Sequence, residues 1–328
     1  MKKKRNVVGK YILLSQLYVF TAVVAVPCTF AKIYDKATEI IVSHEIKTSA
    51  PAEKENVNYK VGGVDIDDYI KGVVAAEMPV SFPLEALKAQ AVASRTYAVR
   101  AVENADKDLE PKDIGQAYID VDGMKKNWGD NFDTYYAKIS QAVDDTDEEI
   151  MVYDGEPILA VFHSTSAGET ETAGNIWNYD LPYLVSTDSE GDKYAPNYEV
   201  SANFTPEQII EKIKAKYSDF SADASTLFDT ITINQRSEAG YITEITVGNK
   251  NFTGKEIREA LGLRSTDFTV AKNGDNIVIT TKGFGHGAGM SQYGAKYMAD
   301  NGCNYKTILN HYYKDIAIGN LDEKSKSE

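Results

Sequence analysis

The stretch that decides the fold is Val64–Arg100, which reads VDIDDYIKGVVAAEMPVSFPLEALKAQAVASRTYAVR. It contains two helical patterns with a proline-containing break between them, and the first pattern includes Glu77 among apolar residues. Ile70, Val73 and Val74 lie seven, four and three residues before Glu77, so a helix places this glutamate on its apolar face. An acidic side chain on the buried face of a helix is a candidate for a chemical role.

Pro79 predicts where this first helix ends. Proline removes a backbone donor and disfavours the α conformation at Met78, so the helix should end at about Glu77. The negative end of the helix dipole and the loss of water both favour the protonated form of a carboxyl group at that position. A carboxyl group that keeps its proton near neutral pH can act as a general acid. The alternative, from spacing alone, is a boundary glutamate paired with a Lys or Arg.

A second and longer helix is predicted to begin at Pro83 and to run through PLEALKAQAVASRTYAVRAVEN. Its many alanines predict close packing against neighbouring elements. Lys88 and Arg95 share one face of this helix, whereas Gln90 and Tyr97 share another. The two faces are therefore expected to have different partners.

The remaining predicted elements are a mixture of helices and short strands. Asp154-Gly155 is a strong signal for a hairpin turn, and Thr205-Pro206-Glu207-Gln208 is typical of a helix start with a capping box. Predicted strands lie at 149–153, 157–163, 228–234, 241–247, 268–271 and 276–281, and predicted helices at 253–262, 290–300 and 306–313. Mixed helices and non-alternating strands predict an α+β fold.

The amino terminus predicts a membrane anchor. The first ten residues include five basic ones, and the next 21 positions, 11–31, carry no charge, a length that spans a bilayer as a helix. The basic flank predicts a cytoplasmic amino terminus, with the body of the protein outside the cytoplasm. The alternative is a signal segment, either retained or cleaved after Ala31.

The predicted organisation has five parts. Residues 1–10 form a cytoplasmic basic tail, 11–31 the anchor, 32–56 a polar juxtamembrane stalk and 321–328 a polar tail. Residues 57–320 form one folded, groove-bearing extracytoplasmic domain with mixed helices and short strands.

Charge and cysteine content exclude several functional classes. Without the five basic residues of the amino terminus, 30 Lys and Arg face 49 Asp and Glu, a balance of −19. This acidity argues against nucleic acid as a ligand, since binding to phosphate backbones depends on clustered Lys and Arg. The two cysteines, Cys28 and Cys303, are too few for a cysteine-based metal cluster.

Two histidines lie in segments that suit a binding site. His163 ends a predicted strand and enters the polar loop STSAGETET, and such loops often carry ligand-contacting groups. His286 lies in GFGHGAGMSQYG, where glycine occupies every second position from Gly283 to Gly289 and lets the backbone approach a ligand. The alternatives are a histidine bonded to backbone in a Ser/Thr-rich turn and a tight turn packed under the next helix.

Taken in order, the segments VVAAEMP, ALKAQAVASRTYA, FHSTSAGETE and GFGHGAGMSQYGA resemble the successive motifs of the stage II sporulation protein D family, the SpoIID/LytB group of bacterial cell-wall proteins. The resemblance covers residues from about 57 to 315. It implies a lytic transglycosylase that acts on peptidoglycan, particularly on glycan strands without stem peptides. Glu77 stands at the glutamate of the family's AEMP motif, and the resemblance implies that it is the catalytic acid.

The resemblance also implies a set of substrate-binding residues. The long-helix motif contributes residues that hold the sugar or support Glu77, and the two later motifs contribute residues that line the groove. The first group is Lys88, Gln90, Arg95 and Tyr97, and the second is His163, Ser164, Ser166, His286, Ser291, Gln292 and Tyr293. Some relatives bind zinc through cysteines near the FHSTS segment. This chain has no cysteine there, so we expect no metal ligands and no cofactor.

The family context implies a spore-forming bacterium. The chain would lie in the mother-cell membrane, face the forespore, and work beside stage II sporulation proteins P, an amidase and endopeptidase, and M during engulfment. The main alternative is a non-catalytic, glycan-binding module that enhances a partner amidase. A third hypothesis, a zinc hydrolase that uses His163 and His286, requires a third ligand that the sequence does not supply.

Overall fold

The computed structural model describes residues 59–321. The predicted basic tail, anchor and stalk, and all but the first residue of the predicted polar tail, lie outside the described residues. Within 59–321, no helix combines the length and hydrophobicity that crossing a bilayer requires. The anchor at 11–31 therefore stays a prediction.

The described part of the chain is an α+β structure, as the sequence predicts. Its α-helices are α1 (Ile66–Glu77), α2 (Leu84–Glu103), α3 (Pro111–Ile114), α4 (Val121–Trp128), α5 (Phe132–Asp144), α6 (Ala173–Trp177), α7 (Pro206–Lys214), α8 (Gly254–Leu261), α9 (Gln292–Asp300) and α10 (Tyr305–Tyr312). Its strands are β1 (Lys60–Val61), β2 (Val64–Asp65), β3 (Glu149–Tyr153), β4 (Glu156–Pro157), β5 (Phe162–His163), β6 (Glu199–Phe204), β7 (Thr232–Arg236), β8 (Ile242–Val247), β9 (Lys250–Phe252), β10 (Phe268–Asn273), β11 (Asn276–Lys282), β12 (Met290–Ser291) and β13 (Ala317–Asn320).

The first hydrophobic core surrounds α2. This helix is buried along most of its length and contacts α1, α5, α9, α10 and β3. Its alanines let these neighbours approach closely, and its buried polar side chains are hydrogen-bonded within the protein: Gln90, Ser94, Arg95 and Thr96. The central position of α2 brings α1 and α9, which are distant in sequence, to the same region of the fold.

A second core is built by residues inserted between the two halves of the first. It contains an antiparallel sheet in the order β10-β11-β6, a second antiparallel sheet in the order β7-β8-β9, and helices α7 and α8. Tyr241 joins the two parts of the molecule. Its hydroxyl accepts a 2.9 Å hydrogen bond from the N–H of Ala167 and donates a 2.9 Å hydrogen bond to the carbonyl of Glu169.

Several predicted boundaries are confirmed. Helix α1 ends at Glu77 with Met78 in an extended conformation, and the turn residues Asp154 and Gly155 have φ of 51° and 82°, as a hairpin between β3 and β4 requires. The capping box at Thr205 is present. Pro83 is the cap that precedes α2 rather than its first residue.

Other predictions are wrong. The strand predicted over 157–163 is interrupted, because residues 158–161 have no regular ladder between β4 and β5. The predicted strand at 228–234 begins as the 3₁₀ helix Leu227–Thr230 before β7. Helices α3 to α5 were not predicted, although α5 has buried apolar residues at helical spacing, Ile139, Ala142 and Val143.

Candidate active site

Glu77 occupies the last position of α1, and a neighbouring loop covers this end of the helix. Gly72 allows the approach, because a Cβ at this position would lie 2.3 Å from Cε2 of Tyr118. The N–H of Ile119 donates to the carbonyl of Gly72, and the N–H of Ala117 donates a 2.7 Å hydrogen bond to Oε1 of Glu77. Because Gly72 has no side chain, the loop lies close enough to α1 for the Ala117 N–H to donate to the Glu77 carboxyl group.

The environment of Glu77 favours a proton on its carboxyl group. Burial raises the pKa of Glu77 to about 7, while hydrogen bonds from Ala117 and from the side-chain amide of Gln292 act in the opposite direction. Glu77 nevertheless keeps part of its surface in contact with solvent. Glu77 is therefore only partly buried as a residue, whereas its carboxyl group is surrounded by protein atoms, and this environment favours a group that holds a proton near neutral pH.

A chain of buried amides supports this arrangement. Nε2 of Gln292, the first residue of α9, donates to Oε1 of Gln90 at 3.3 Å, and Nε2 of Gln90 donates to Oγ of Ser94 at 2.9 Å. Nε2 of Gln116 donates to the carbonyl of Ser94 at 3.3 Å. Glu77 is thus connected through Gln292 to the interior of α2, which fixes the orientation of the Gln292 amide.

Tyrosines complete the surroundings of the carboxyl group. Tyr69 is fully buried, and its pKa is raised by burial first and then by the nearby charges of Glu77, Tyr97 and Tyr118. Its ring stacks on that of Tyr118 at 5.3 Å. Sequence reasoning identified Tyr97 but missed Tyr69 and Tyr118. The available signal was Gly72, which marks the place where a loop approaches α1.

Lys88 and Arg95 lie on the opposite face of α2 from Gln90, as the helical spacing predicts. Arg95 is fully buried, and its guanidinium group bonds Asp67 at 2.7 Å and the carbonyl of Thr146 at 2.7 Å. Lys88 pairs with Asp145 at 2.9 Å and with Glu85. The donors of Arg95 are used inside the protein to join α2 to α1 and α5, and a contact of Arg95 with sugar stays a prediction.

The predicted serines divide into two groups. Ser166 and Ser291 are fully buried and bind a buried carboxylate that sequence reasoning missed: Asp192 accepts from the Ser166 N–H at 2.8 Å and from the Ser291 hydroxyl at 2.6 Å. These two serines therefore hold the loop that follows β5 against the start of α9. Ser164 is only half-buried and therefore lies nearer the surface than the other two serines. Its carbonyl accepts a hydrogen bond from the N–H of Tyr293.

The two motif histidines are buried side by side. Their ring centroids lie 5.6 Å apart, and burial lowers the pKa of each to about 3, so both are neutral at physiological pH. Nδ1 of His163 donates to the carbonyl of Ala288, and Nδ1 of His286 accepts from the N–H of Ala288. Both side chains are buried, and the expectation that they line the groove stays a prediction.

These residues do not fit a zinc ion. Each ring uses Nδ1 within the protein, since Nδ1 of His286 accepts from the N–H of Ala288 and Nδ1 of His163 donates to the carbonyl of the same residue. Among residues 59–321 there is no group of three or more His, Cys, Asp or Glu side chains arranged to hold a metal ion. We assign no metal-dependent step to this site.

The glycine-rich segment is a packed turn. A Cβ on Gly289 would lie 2.0 Å from the carbonyl oxygen of Val161, and one on Gly283 would lie 2.6 Å from that of Thr165. Both glycines have positive φ. Of the two hypotheses from sequence, the tight turn is the one that the contacts support, because these glycines are needed to seat the segment against the loop around β5.

Tyr293 extends the site toward the surface. It is half-buried on α9, next to Gln292, and its ring meets that of Phe82 edge-on at 5.1 Å. Phe82 lies in the short connection between α1 and α2, just after Glu77. The structure therefore brings Glu77, Gln90, Tyr97, Gln292 and Tyr293 to one region.

The fold and site together define an α+β protein with a glutamate at a helix end whose carboxyl group accepts from the Ala117 N–H and the Gln292 amide. Comparison with known proteins gives the family. Residues 54–153 match the family described as Stage II sporulation protein, SpoIID. The chain is 38% identical over 286 residues to Stage II sporulation protein D of Bacillus amyloliquefaciens, which covers 85% of this chain and 80% of the relative.

A second relative gives the same family. Stage II sporulation protein D of Bacillus subtilis (strain 168) is 39% identical over 272 residues, covering 81% of this chain and 77% of the relative. The chain belongs to the stage II sporulation protein D family, whose members take part in sporulation. A more distant relative, named Amidase enhancer, also from Bacillus subtilis (strain 168), is 29% identical over 296 residues, which are 76% of this chain and 40% of that protein.

Proposed function

We propose that this protein is a lytic transglycosylase that cleaves the bond between N-acetylmuramic acid and N-acetylglucosamine in peptide-denuded peptidoglycan strands, with Glu77 as its acid. The observation that carries this proposal is Glu77 at the end of α1, a partly buried residue whose carboxyl pKa is raised to about 7 by burial. A carboxyl group with a pKa near neutral can hold the catalytic proton and can accept a proton in the next step.

The reaction can proceed with one carboxyl group. Protonated Glu77 donates its proton to the glycosidic oxygen, and the bond from that oxygen to C1 of the muramic residue breaks. The C6 hydroxyl of the same residue then bonds to C1, and its proton passes to the Glu77 carboxylate. The product is a 1,6-anhydro ring, no water is consumed, and Glu77 regains its proton. The second carboxylate that glycoside hydrolysis uses is not needed.

The neighbours of Glu77 support both halves of this cycle. Ala117 and Gln292 donate hydrogen bonds that stabilise the carboxylate formed after the first proton transfer. Burial stabilises the protonated form that begins the cycle. Because these effects oppose each other, the two protonation states lie close in free energy, as a group that acts first as acid and then as base requires.

A second candidate function is a glycan-binding module that enhances an amidase. Its support is the name of the 29% identical relative, Amidase enhancer. Such a module would tolerate Glu77→Gln, which preserves the shape of the side chain, whereas an acid catalyst would not.

We also propose the cellular setting that the uncharged segment 11–31 and the family suggest. The protein would be anchored in the mother-cell membrane with its folded part facing the forespore. It would act after stage II sporulation protein P removes stem peptides, in company with stage II sporulation protein M. Removal of the peptides by a partner would supply the bare glycan that this reaction consumes.

The test compares purified full-length protein and its Glu77→Gln variant on peptide-free glycan strands. Mass spectrometry would identify the ends formed, and a binding assay would run in parallel. Anhydromuramic ends formed only by the wild type support the transglycosylase. Equal binding by both proteins with no cleavage by either, and stimulation of an added amidase by both, would instead support the enhancer.

A further inference from the structure

Two exposed tyrosines stack on each other at the surface beside α9. In residues 59–321 only five large hydrophobic side chains are exposed, and Tyr194 (66%) and Tyr297 (39%) are the aromatic ones. Their ring centroids lie 5.5 Å apart with planes inclined by 18°. Single exposed apolar residues are ordinary on protein surfaces, but a stacked aromatic pair in water is typical of a binding site.

The pair is built into a rigid part of the fold. Tyr194 ends a short 3₁₀ helix that also contains Asp192, and Asp192 is fully buried and bonded to the Ser291 hydroxyl that caps α9. A Cβ on Gly191 would lie 2.4 Å from Cβ and Cγ of Tyr297. Only glycine at this position lets the 3₁₀ helix approach α9 closely enough for the two rings to meet.

Helix α9 connects the pair to the candidate active site. Gln292 begins the helix and bonds Glu77, and Tyr297 lies five residues later, about 8 Å along the axis. Tyr293 precedes Tyr297 by four residues, so both lie on the same face. Tyr293 also meets Phe82 edge-on, so aromatic rings follow α9 from beside Gln292 to Tyr297, and exposure rises from buried Phe82 through half-buried Tyr293 to exposed Tyr297.

We propose that Tyr194 and Tyr297 form a sugar-stacking subsite for the portion of a glycan strand that extends beyond the bond held at Glu77. This inference depends on the function proposed above, and it makes the protein selective for long strands over single disaccharide units. The apolar faces of pyranose rings pack on aromatic rings, and tyrosine offers such a face at low entropic cost.

The charges around the pair are compatible with this occupant. Lys193 lies over the ring of Tyr194, 5.2 Å from its centroid, and also pairs with Glu190 in an exposed ion pair. An exposed pair of this kind contributes little to stability, so the Lys193 ammonium can turn toward a ligand and free the outer face of the ring. The lactyl carboxylate of a muramic residue is a suitable partner for that ammonium group.

The test measures binding without cleavage. In full-length protein that carries Glu77→Gln, calorimetry would compare the affinities for a single disaccharide and for peptide-free strands of several disaccharides. We expect the longer strands to bind more tightly, and the double change Tyr194→Ala with Tyr297→Ala to weaken their binding roughly tenfold while leaving the disaccharide unaffected. Phenylalanine at both positions should retain the affinity, because the ring faces remain.

Val121→Ala is the matched control, since it shortens another exposed apolar side chain, 40% exposed, at the start of α4. The subsite is ruled out if the alanine pair leaves long-strand affinity unchanged, or if it weakens the disaccharide and the strands equally. If the parent protein binds glycan of neither length, the proposed function itself fails, an outcome distinct from loss of the subsite alone.

Discussion

The N–H of Ala117 donates a 2.7 Å hydrogen bond to Oε1 of Glu77, although 40 residues separate the two in the chain. This bond stabilises the carboxylate, whereas burial stabilises the protonated acid, and burial has the larger effect on the pKa. The result is a glutamate whose pKa of about 7 follows from its position in the fold. The unfolding free energy and the cleavage rate should therefore both change with pH as Glu77 titrates.

Glu77→Gln should make the protein more stable at alkaline pH. Between pH 4.5, the ordinary value, and pH 7, the folded wild type holds a proton that the unfolded chain has released, so its stability falls as pH rises through this window. The unfolding free energy of the variant, relative to that of the wild type, should therefore rise by about 3 kcal/mol across the window and stay constant above it. Urea denaturation at a series of pH values measures it.

Glu211→Gln, a change of an exposed glutamate on α7, provides the surface baseline for that series. A Glu77→Gln advantage that does not change between pH 4.5 and pH 8 would contradict the raised pKa. It would mean that the carboxyl group is better hydrated than the structure indicates.

Gln292→Ala should shift the pH profile of cleavage. The Gln292 amide lowers the pKa of Glu77, so its loss should raise that pKa and move the alkaline limb of kcat to higher pH. The maximal rate should also fall about tenfold or more, because the carboxyl group loses an orienting partner. Gln141→Ala, at an exposed position on α5, is the control. If KM changed while the alkaline limb of the kcat–pH profile stayed in place, Gln292 would contact only the sugar.

Gly72→Ala should displace the loop that covers Glu77. The new Cβ would lie 2.3 Å from the Tyr118 ring and 2.7 Å from the carbonyl oxygen of Ile119. We expect a loss of about 1–3 kcal/mol in unfolding free energy and a large loss of cleavage, since the Ala117 donor moves with the loop. The control is Gly319→Ala, whose Cβ has no neighbour nearer than 3.8 Å. Equal behaviour of the two variants in both assays would contradict this role.

Arg95→Lys should reduce stability but leave catalysis in the folded fraction intact. Lysine cannot reproduce the guanidinium bonds to Asp67 and to the carbonyls of Thr146 and Glu149, and Arg95 is fully buried. The unfolding free energy should fall by about 3 kcal/mol. Denaturation curves and rates per folded molecule test this. A stable variant with a raised KM would support the expectation that Arg95 binds sugar.

The local features of the fold could be predicted from sequence because each has a short-range physical cause. Pro79 ends α1, Thr205 with Gln208 caps α7, and Asp154-Gly155 turns the hairpin. Glu77 was also identifiable, because its place among apolar residues follows from helical spacing alone.

The contacts of the site could not be predicted in the same way, because they join segments far apart in the chain. Nothing near Asp192 in sequence shows that it binds Ser166 and Ser291, and motif membership alone could not separate buried Arg95 from half-buried Tyr293. Only burial and hydrogen-bond partners distinguish Arg95 from Tyr293.

The most direct test of the central claim is the yield of 1,6-anhydromuramic ends from peptide-free glycan strands, measured by mass spectrometry for wild type and Glu77→Gln at equal concentrations of folded protein. We predict that the wild type forms these ends, that its rate declines above about pH 7 as the acid loses its proton, and that the variant forms none while still binding the strands. Anhydro ends formed by the Glu77→Gln variant at the wild-type rate would contradict the assignment of Glu77 as the acid.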